Sequence, residues 1–187
     1  MIRLSSVPNL LTGFRFALIP LLIVLFSVEQ STKVELWSFV VFTIAAVTDF
    51  VDGWVARHYD IETVFGKLMD PLADKVLVTT VLVMLIPIGK VAAWVCLLIV
   101  CREIIITGFR GLAATTGKVV AAGSLGKLKS NFQYFGLGCL IFPVNFLPIP
   151  YLYQIGTVLI YIALFLGLWS GAVYAYNLRS VFLETTQ

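Results

Sequence analysis

Four aspartates stand in apolar, helix-forming sequence at a spacing that any fold of this chain must accommodate. The segment reads Asp49-x-x-Asp52-Gly53-x-x-Ala56-Arg57, then eight residues, then Gly66-x-x-x-Asp70-x-x-x-Asp74, with long apolar runs on both sides. A carboxylate in a membrane segment costs roughly 2.5–3.5 kcal/mol, so four bare ones would cost on the order of 10 kcal/mol. The fold must gather them in a wet cavity, bring cations to them, or both.

On a helix, Asp49 and Asp52 share one face, continued by Gly53, Ala56 and Arg57; Asp70 and Asp74 share another, with Gly66 one turn earlier. Two antiparallel helices joined by a short loop let these carboxylates converge. Two like charges about 5 Å apart repel by roughly 3 kcal/mol at an effective dielectric near 20, so the set calls for divalent cations. Carboxylate oxygens without His or Cys beside them suit Mg²⁺ or Mn²⁺ rather than zinc. A metal pair clamping a phosphoryl group in transfer is the natural chemistry. Gly53 and Gly66 clear the site wall for a bulky ligand, and the Arg57 fork suits a phosphate. Two other readings compete: charges scattered at helix ends, and the acidic pathway of a cation-coupled transporter.

With 60% hydrophobic residues, 12% charged residues and a mean hydropathy of +1.00 over 187 residues, an ordinary soluble domain is excluded. The expected fold class is an all-α integral membrane protein with six transmembrane helices, at about 8–28, 34–57, 66–87, 91–116, 124–143 and 151–178. Residues 1–187 read as a single membrane-embedded catalytic domain. Arg15 and Pro20 interrupt the first apolar stretch and no small-residue cleavage site follows, so it reads as a retained helix rather than a signal peptide. Cys96, Cys101 and Cys139 read as small core residues, and Pro71 as a bend in the third helix.

Arg3, Arg57, Lys67, Lys118, Lys127, Lys129 and Arg179 fall on the side shared by both termini, whereas Lys33, Lys90, Glu29 and Glu35 fall opposite. The basic side is expected to be cytoplasmic, which puts the aspartates there. The net charge of +3, distributed to one side, suits an anionic leaflet and anionic substrates. Arg102 and Arg110 lie eight apart in the fourth apolar stretch, and Lys127 and Lys129 open the fifth. Converging near the aspartates, these four cations suit an acceptor that carries a phosphate. The lysines otherwise snorkel to lipid headgroups, and Arg102 otherwise pairs with Glu103 or another carboxylate.

The pattern D-x2-D-G-x2-A-R-x8-G-x3-D-x3-D, complete here at all eight fixed positions, resembles the signature of the CDP-alcohol phosphotransferase family. Further stretches are similar to the bacterial branch that makes phosphatidylglycerophosphate. They are Ser6-Val7-Pro8-Asn9-Leu10-Leu11-Thr12-x-x-Arg15, Arg102-Glu103-Ile104-Ile105-Ile106-Thr107-Gly108-x-Arg110, Gly117, and Gly126-Lys127-x-Lys129; Ser130 departs from the Thr usual there. The resemblance implies a membrane enzyme of that fold, with CDP-diacylglycerol as donor, sn-glycerol 3-phosphate as acceptor and CMP as the leaving product. It implies two divalent cations, Mg²⁺ or Mn²⁺, on Asp49, Asp52, Asp70 and Asp74, with Asp74 also the general base. It implies CDP-lipid contacts at Asn9, Thr12, Gly53, Arg57, Thr63 and Gly66, and an acceptor-phosphate set of Arg102, Arg110, Lys127 and Lys129. Asn9 and Thr12 alternatively cap the first helix. A homodimer in the bacterial inner membrane, with membrane lipids and no nucleic acid as partners, completes the expectation. A sibling enzyme using inositol phosphate, serine or phosphatidylglycerol is the alternative. His58 and the four tryptophans read as interfacial residues, and Gly156, Gly167 and Gly171 as permitting close helix packing.

Overall fold

The computed structural model describes the backbone of residues 7–58, 64–115 and 124–184, with side chains over 12–48, 69–113, 126 and 128–177. The elements in chain order are α1 (Val7–Ser27), α2 (Thr32–His58), α3 (Val64–Met84), α4 (Ala93–Thr115), α5 (Ser124–Ile141) and α6 (Leu152–Glu184). Among the described residues, six apolar stretches become six helices, within about three residues of expectation except at the C-terminal end of α6, which runs further. No strand occurs among the described residues.

Local chemistry sets several ends. Pro8 lies in the first turn of α1, where its missing N–H costs no helical bond. Pro71 sits inside α3 without ending it. After α3 the chain reverses through Gly89, whose φ of 72° is the left-handed region open to glycine. Lys90 N and Val91 N then donate back to Leu85 O at 3.0 and 3.3 Å, using a carbonyl that the helix end leaves free. Lys90 also meets Glu35 at 2.8 Å, pinning this end of the bundle to α2.

One core joins all six helices: Leu18 and Leu22 from α1, Phe42 and Ala45 from α2, Leu77 and Val81 from α3, Val95 and Ile99 from α4, Leu137 from α5 and Ile160 from α6. The exterior is apolar as well. Phe14, Trp37, Leu97, Ile104, Phe135 and Phe165 are all exposed. By the joint test of length, hydropathy and charge, α6 over Leu152–Asn177 is the helix among the described residues long and apolar enough to cross a membrane.

Gly156 does permit close packing. A Cβ there would come within 3.0 Å of Cys139 Cβ and of the Gly136 carbonyl, so α5 and α6 meet backbone to backbone. Gly167 and Gly171 act differently: they face the side chains of Lys129 and Arg102 and make room for them. The cysteines are free, but only Cys96 is buried; Cys101 is exposed, so the expectation of three core cysteines fails there. It lies on the outward face of α4, beside Arg102.

Candidate active site

A cavity of about 860 Å³ opens between α2, α3, α4 and α5. Asp74 and Lys75 come from α3, Arg102, Glu103 and Arg110 from α4, and Lys129, Ser130, Gln133 and Tyr134 from α5; Phe39, Phe42 and Val47 of α2 form an apolar wall. A carboxylate and a set of cations, far apart in sequence, thus face one space.

On the acidic side, Asp70 and Asp74 occupy successive turns of α3, and each carboxylate is held by a hydroxyl from another helix. Thr12 Oγ1 donates to Asp70 Oδ1 at 2.5 Å, and Tyr134 Oη donates to Asp74 Oδ1. Thr12 is 1% exposed and Arg15, one turn on, is fully buried, so α1 turns a polar stripe toward this region. Both Asn9 and Thr12 lie within α1, which begins at Val7, so neither caps it. The Tyr134 ring packs on Phe42 with centroids 6.0 Å apart, which fixes its direction.

On the basic side, Glu103 Oε1 accepts from Arg102 Nη1 at 2.7 Å and from Lys129 Nζ. Arg102 also donates from Nε to Gly167 O at 2.9 Å and from Nη2 to Ser170 Oγ at 2.8 Å. Its guanidinium is thereby tied to α6 and to its neighbour on α4, in keeping with the pairing to Glu103. Lys129 is 6% exposed, its stem lying along Gly167. Arg110 is exposed, with its guanidinium 5.6 Å from the Tyr174 ring centroid, a cation–π arrangement. Lys75 Nζ donates to Thr107 Oγ1 at 2.7 Å, linking α3 to α4 at the cavity edge.

Of the expected site residues, Asp74, Arg102, Arg110 and Lys129 line the cavity. Asp70 and Thr12 form the bonded pair described above. Asp49, Asp52, Gly53 and Arg57 fall on α2, Gly66 on α3, Asn9 on α1 and Lys127 on α5, with side chains outside the described residues; Thr63 lies outside them altogether. Among the described residues no group of three His, Cys, Asp or Glu side chains converges. Asp70 and Asp74 nevertheless suit a hard divalent cation, being oxygen donors one turn apart, each oriented by a hydroxyl.

Gln133, Tyr134 and Lys75 were not singled out from sequence. Gln133 lies one helical turn after Lys129, a spacing that marks a shared face. For Tyr134 the sequence carries no comparable signal, since its partner is sixty positions away.

The family described as CDP-alcohol phosphatidyltransferase matches residues 5–169. A CDP-diacylglycerol–glycerol-3-phosphate 3-phosphatidyltransferase of Rickettsia typhi is 39% identical over 171 residues, covering 91% of this chain and 96% of the relative. Proteins of the same name from Bacillus subtilis and Salmonella choleraesuis are 34% and 36% identical. These alignments cover 90% and 96% of this chain, and 93% and 98% of the relatives.

Proposed function

The chain belongs to the CDP-alcohol phosphatidyltransferase family, and from that premise we propose that it transfers the phosphatidyl group of CDP-diacylglycerol to sn-glycerol 3-phosphate, giving phosphatidylglycerophosphate and CMP. The observation that favours a phosphate-bearing acceptor is the shared cavity: Asp74 faces the same space as Arg110 and Lys129, and the name borne by the relatives favours glycerol 3-phosphate among such acceptors. A neutral acceptor such as serine has no use for those cations, whereas a phosphate dianion does.

Asp49, Asp52, Asp70 and Asp74 would hold two divalent cations, Mg²⁺ or Mn²⁺, which when bound neutralise the donor pyrophosphate. Asn9, Thr12, Gly53, Arg57, Thr63 and Gly66 contact the CDP part of the donor. Arg110, Lys127 and Lys129 take the acceptor phosphate, and Arg102 adds its charge while holding Glu103 and α6. Asp74, oriented by Tyr134, removes the proton of the acceptor's primary hydroxyl. The oxygen attacks the phosphorus esterified to diacylglycerol, the pyrophosphate bond breaks, and CMP leaves. The Phe39, Phe42 and Val47 wall gives the cavity an apolar side.

All six helices cross the membrane in this reading, supported by the mean hydropathy of +1.00 and by the apolar exterior. The basic ends face the cytoplasm of a bacterial inner membrane, where CDP-lipid headgroups and glycerol 3-phosphate are both reachable, and two copies form a homodimer. The test is CMP release by purified protein in detergent with CDP-diacylglycerol and Mg²⁺. Glycerol 3-phosphate, inositol phosphate, serine and phosphatidylglycerol are supplied in turn. Release with glycerol 3-phosphate alone, abolished by Asp74→Asn, is expected. Release with another acceptor assigns a sibling activity. No release from folded protein, with cation flux in proteoliposomes, turns the reading to transport.

A further inference from the structure

Gln133 is a buried carboxamide that no described structural role explains. It is 3% exposed, and its Nε2 has no hydrogen-bond partner. An unmet buried amide donor costs about 1–3 kcal/mol, so such a group is retained where something else fills the bond. Gln133 lines the 860 Å³ cavity. Its position along α5 is informative. Lys129, at about 6 Å less rise along the axis, carries the cation that meets Glu103. Tyr134, the next residue, holds Asp74. The order along the helix is therefore cation, carboxamide, anchor of the carboxylate.

A glycerol phosphate has the same order: phosphate on one terminal carbon, a hydroxyl on the middle carbon, and the reacting hydroxyl on the other terminal carbon. With the phosphate at the cations and the reacting hydroxyl at Asp74, the middle hydroxyl faces Gln133. We infer that Gln133 is a specificity-determining residue whose carboxamide hydrogen-bonds the middle hydroxyl of the acceptor. The assignment rests on the proposed acceptor and adds to it the means of choosing a three-carbon polyol phosphate over a simpler hydroxyalkyl phosphate. A site built to hydrogen-bond a hydroxyl rejects the analogue lacking it, because its own polar group then stays unpaired.

The experiment compares glycerol 3-phosphate with 3-hydroxypropyl phosphate, which keeps the phosphate, the chain length and the reacting hydroxyl but lacks the middle one. CMP release is followed for the wild type, Gln133→Met and Gln133→Asn at saturating CDP-diacylglycerol. The wild type is expected to favour glycerol 3-phosphate by about 10-fold or more in kcat/KM, one lost hydrogen bond being worth roughly that factor. In Gln133→Met the ratio falls to near one, while KM for CDP-diacylglycerol stays within about twofold of wild type. Gln133→Asn, whose amide stops short, lowers the ratio in the same sense.

A wild-type ratio near one overturns the assignment without any variant, so poor folding of Gln133→Met does not shelter it. A ratio that survives in both variants also overturns it. So does an equal loss with both acceptors, which marks Gln133 as a structural partner. Such a partner would serve a water in the void of about 10 Å³ that Gln133 lines with Arg102, Glu103 and Lys129. Activity with glycerol 3-phosphate but no discrimination defeats this inference alone. No CMP release with either acceptor defeats the proposed function and this inference together.

Discussion

The Tyr134 hydroxyl donates to Asp74 Oδ1 across the cavity, joining α5 to α3 at the carboxylate proposed as the base. Tyr134→Phe removes that bond and keeps the ring on Phe42. The expected result is a fall in kcat of about 10-fold, the rate equivalent of one hydrogen bond, with KM for CDP-diacylglycerol within twofold of wild type. Steady-state CMP release checks it. An unchanged kcat means that Asp74 needs no orientation by Tyr134.

Chelation with EDTA is expected to abolish CMP release, and added Mg²⁺ or Mn²⁺ to restore it. Thr12→Val removes the hydroxyl that holds Asp70. Loss of an outer partner of a metal-binding carboxylate costs about 10–100-fold in metal affinity or activity. The Mg²⁺ concentration for half-maximal activity is therefore expected to rise in Thr12→Val. A Mg²⁺ titration identical to wild type assigns the Thr12 bond to helix packing alone.

Arg110 and Arg102 should separate kinetically although they are eight residues apart on one helix. Arg110 is exposed, resting on Tyr174. Arg110→Ala is expected to raise KM for glycerol 3-phosphate about 10-fold or more, recovered at high acceptor, with stability little changed. Arg102 bonds to Gly167, Ser170 and Glu103. Arg102→Ala leaves Glu103 with fewer partners and breaks the tie to α6. It is expected to cost about 2 kcal/mol of stability as well as activity. Thermal unfolding in detergent beside the kinetics distinguishes the two.

Gly156→Ala and Gly167→Ala form a contrast in packing. At Gly156 the added Cβ meets the Gly136 carbonyl and Cys139 Cβ at 3.0 Å, so the helices must part. The expected loss is about 1–3 kcal/mol. At Gly167 the nearest atom is Lys129 Cδ at 3.4 Å, part of a flexible stem, and little stability is lost. Equal unfolding temperatures for the two variants would contradict the close α5–α6 contact.

Glu103→Gln leaves Arg102 and Lys129 without the carboxylate that both reach. The two cations then repel one another within the site. The expected outcome is a loss of about 2 kcal/mol in stability, read by thermal unfolding in detergent.

By itself the sequence determined the number and approximate ends of the helices, because long apolar runs broken by Gly, Pro and charge leave few alternatives. It also determined that Asp70 and Asp74 share a face, since that follows from helical geometry alone. What it left open was which face of each helix turns inward. α6 is apolar nearly all round, so periodicity does not distinguish its core face from its outward one; on α4, Cys101 was misread as a core residue although it is exposed beside the cavity-lining Arg102. The tertiary structure decided the pairings across long separations: Thr12 with Asp70, Tyr134 with Asp74, and Arg102 with Gly167 and Ser170. It also decided the burial of Gln133. Each depends on how helices distant in sequence pack against one another, and that packing is set by the shape of the whole bundle, not by any local run of residues.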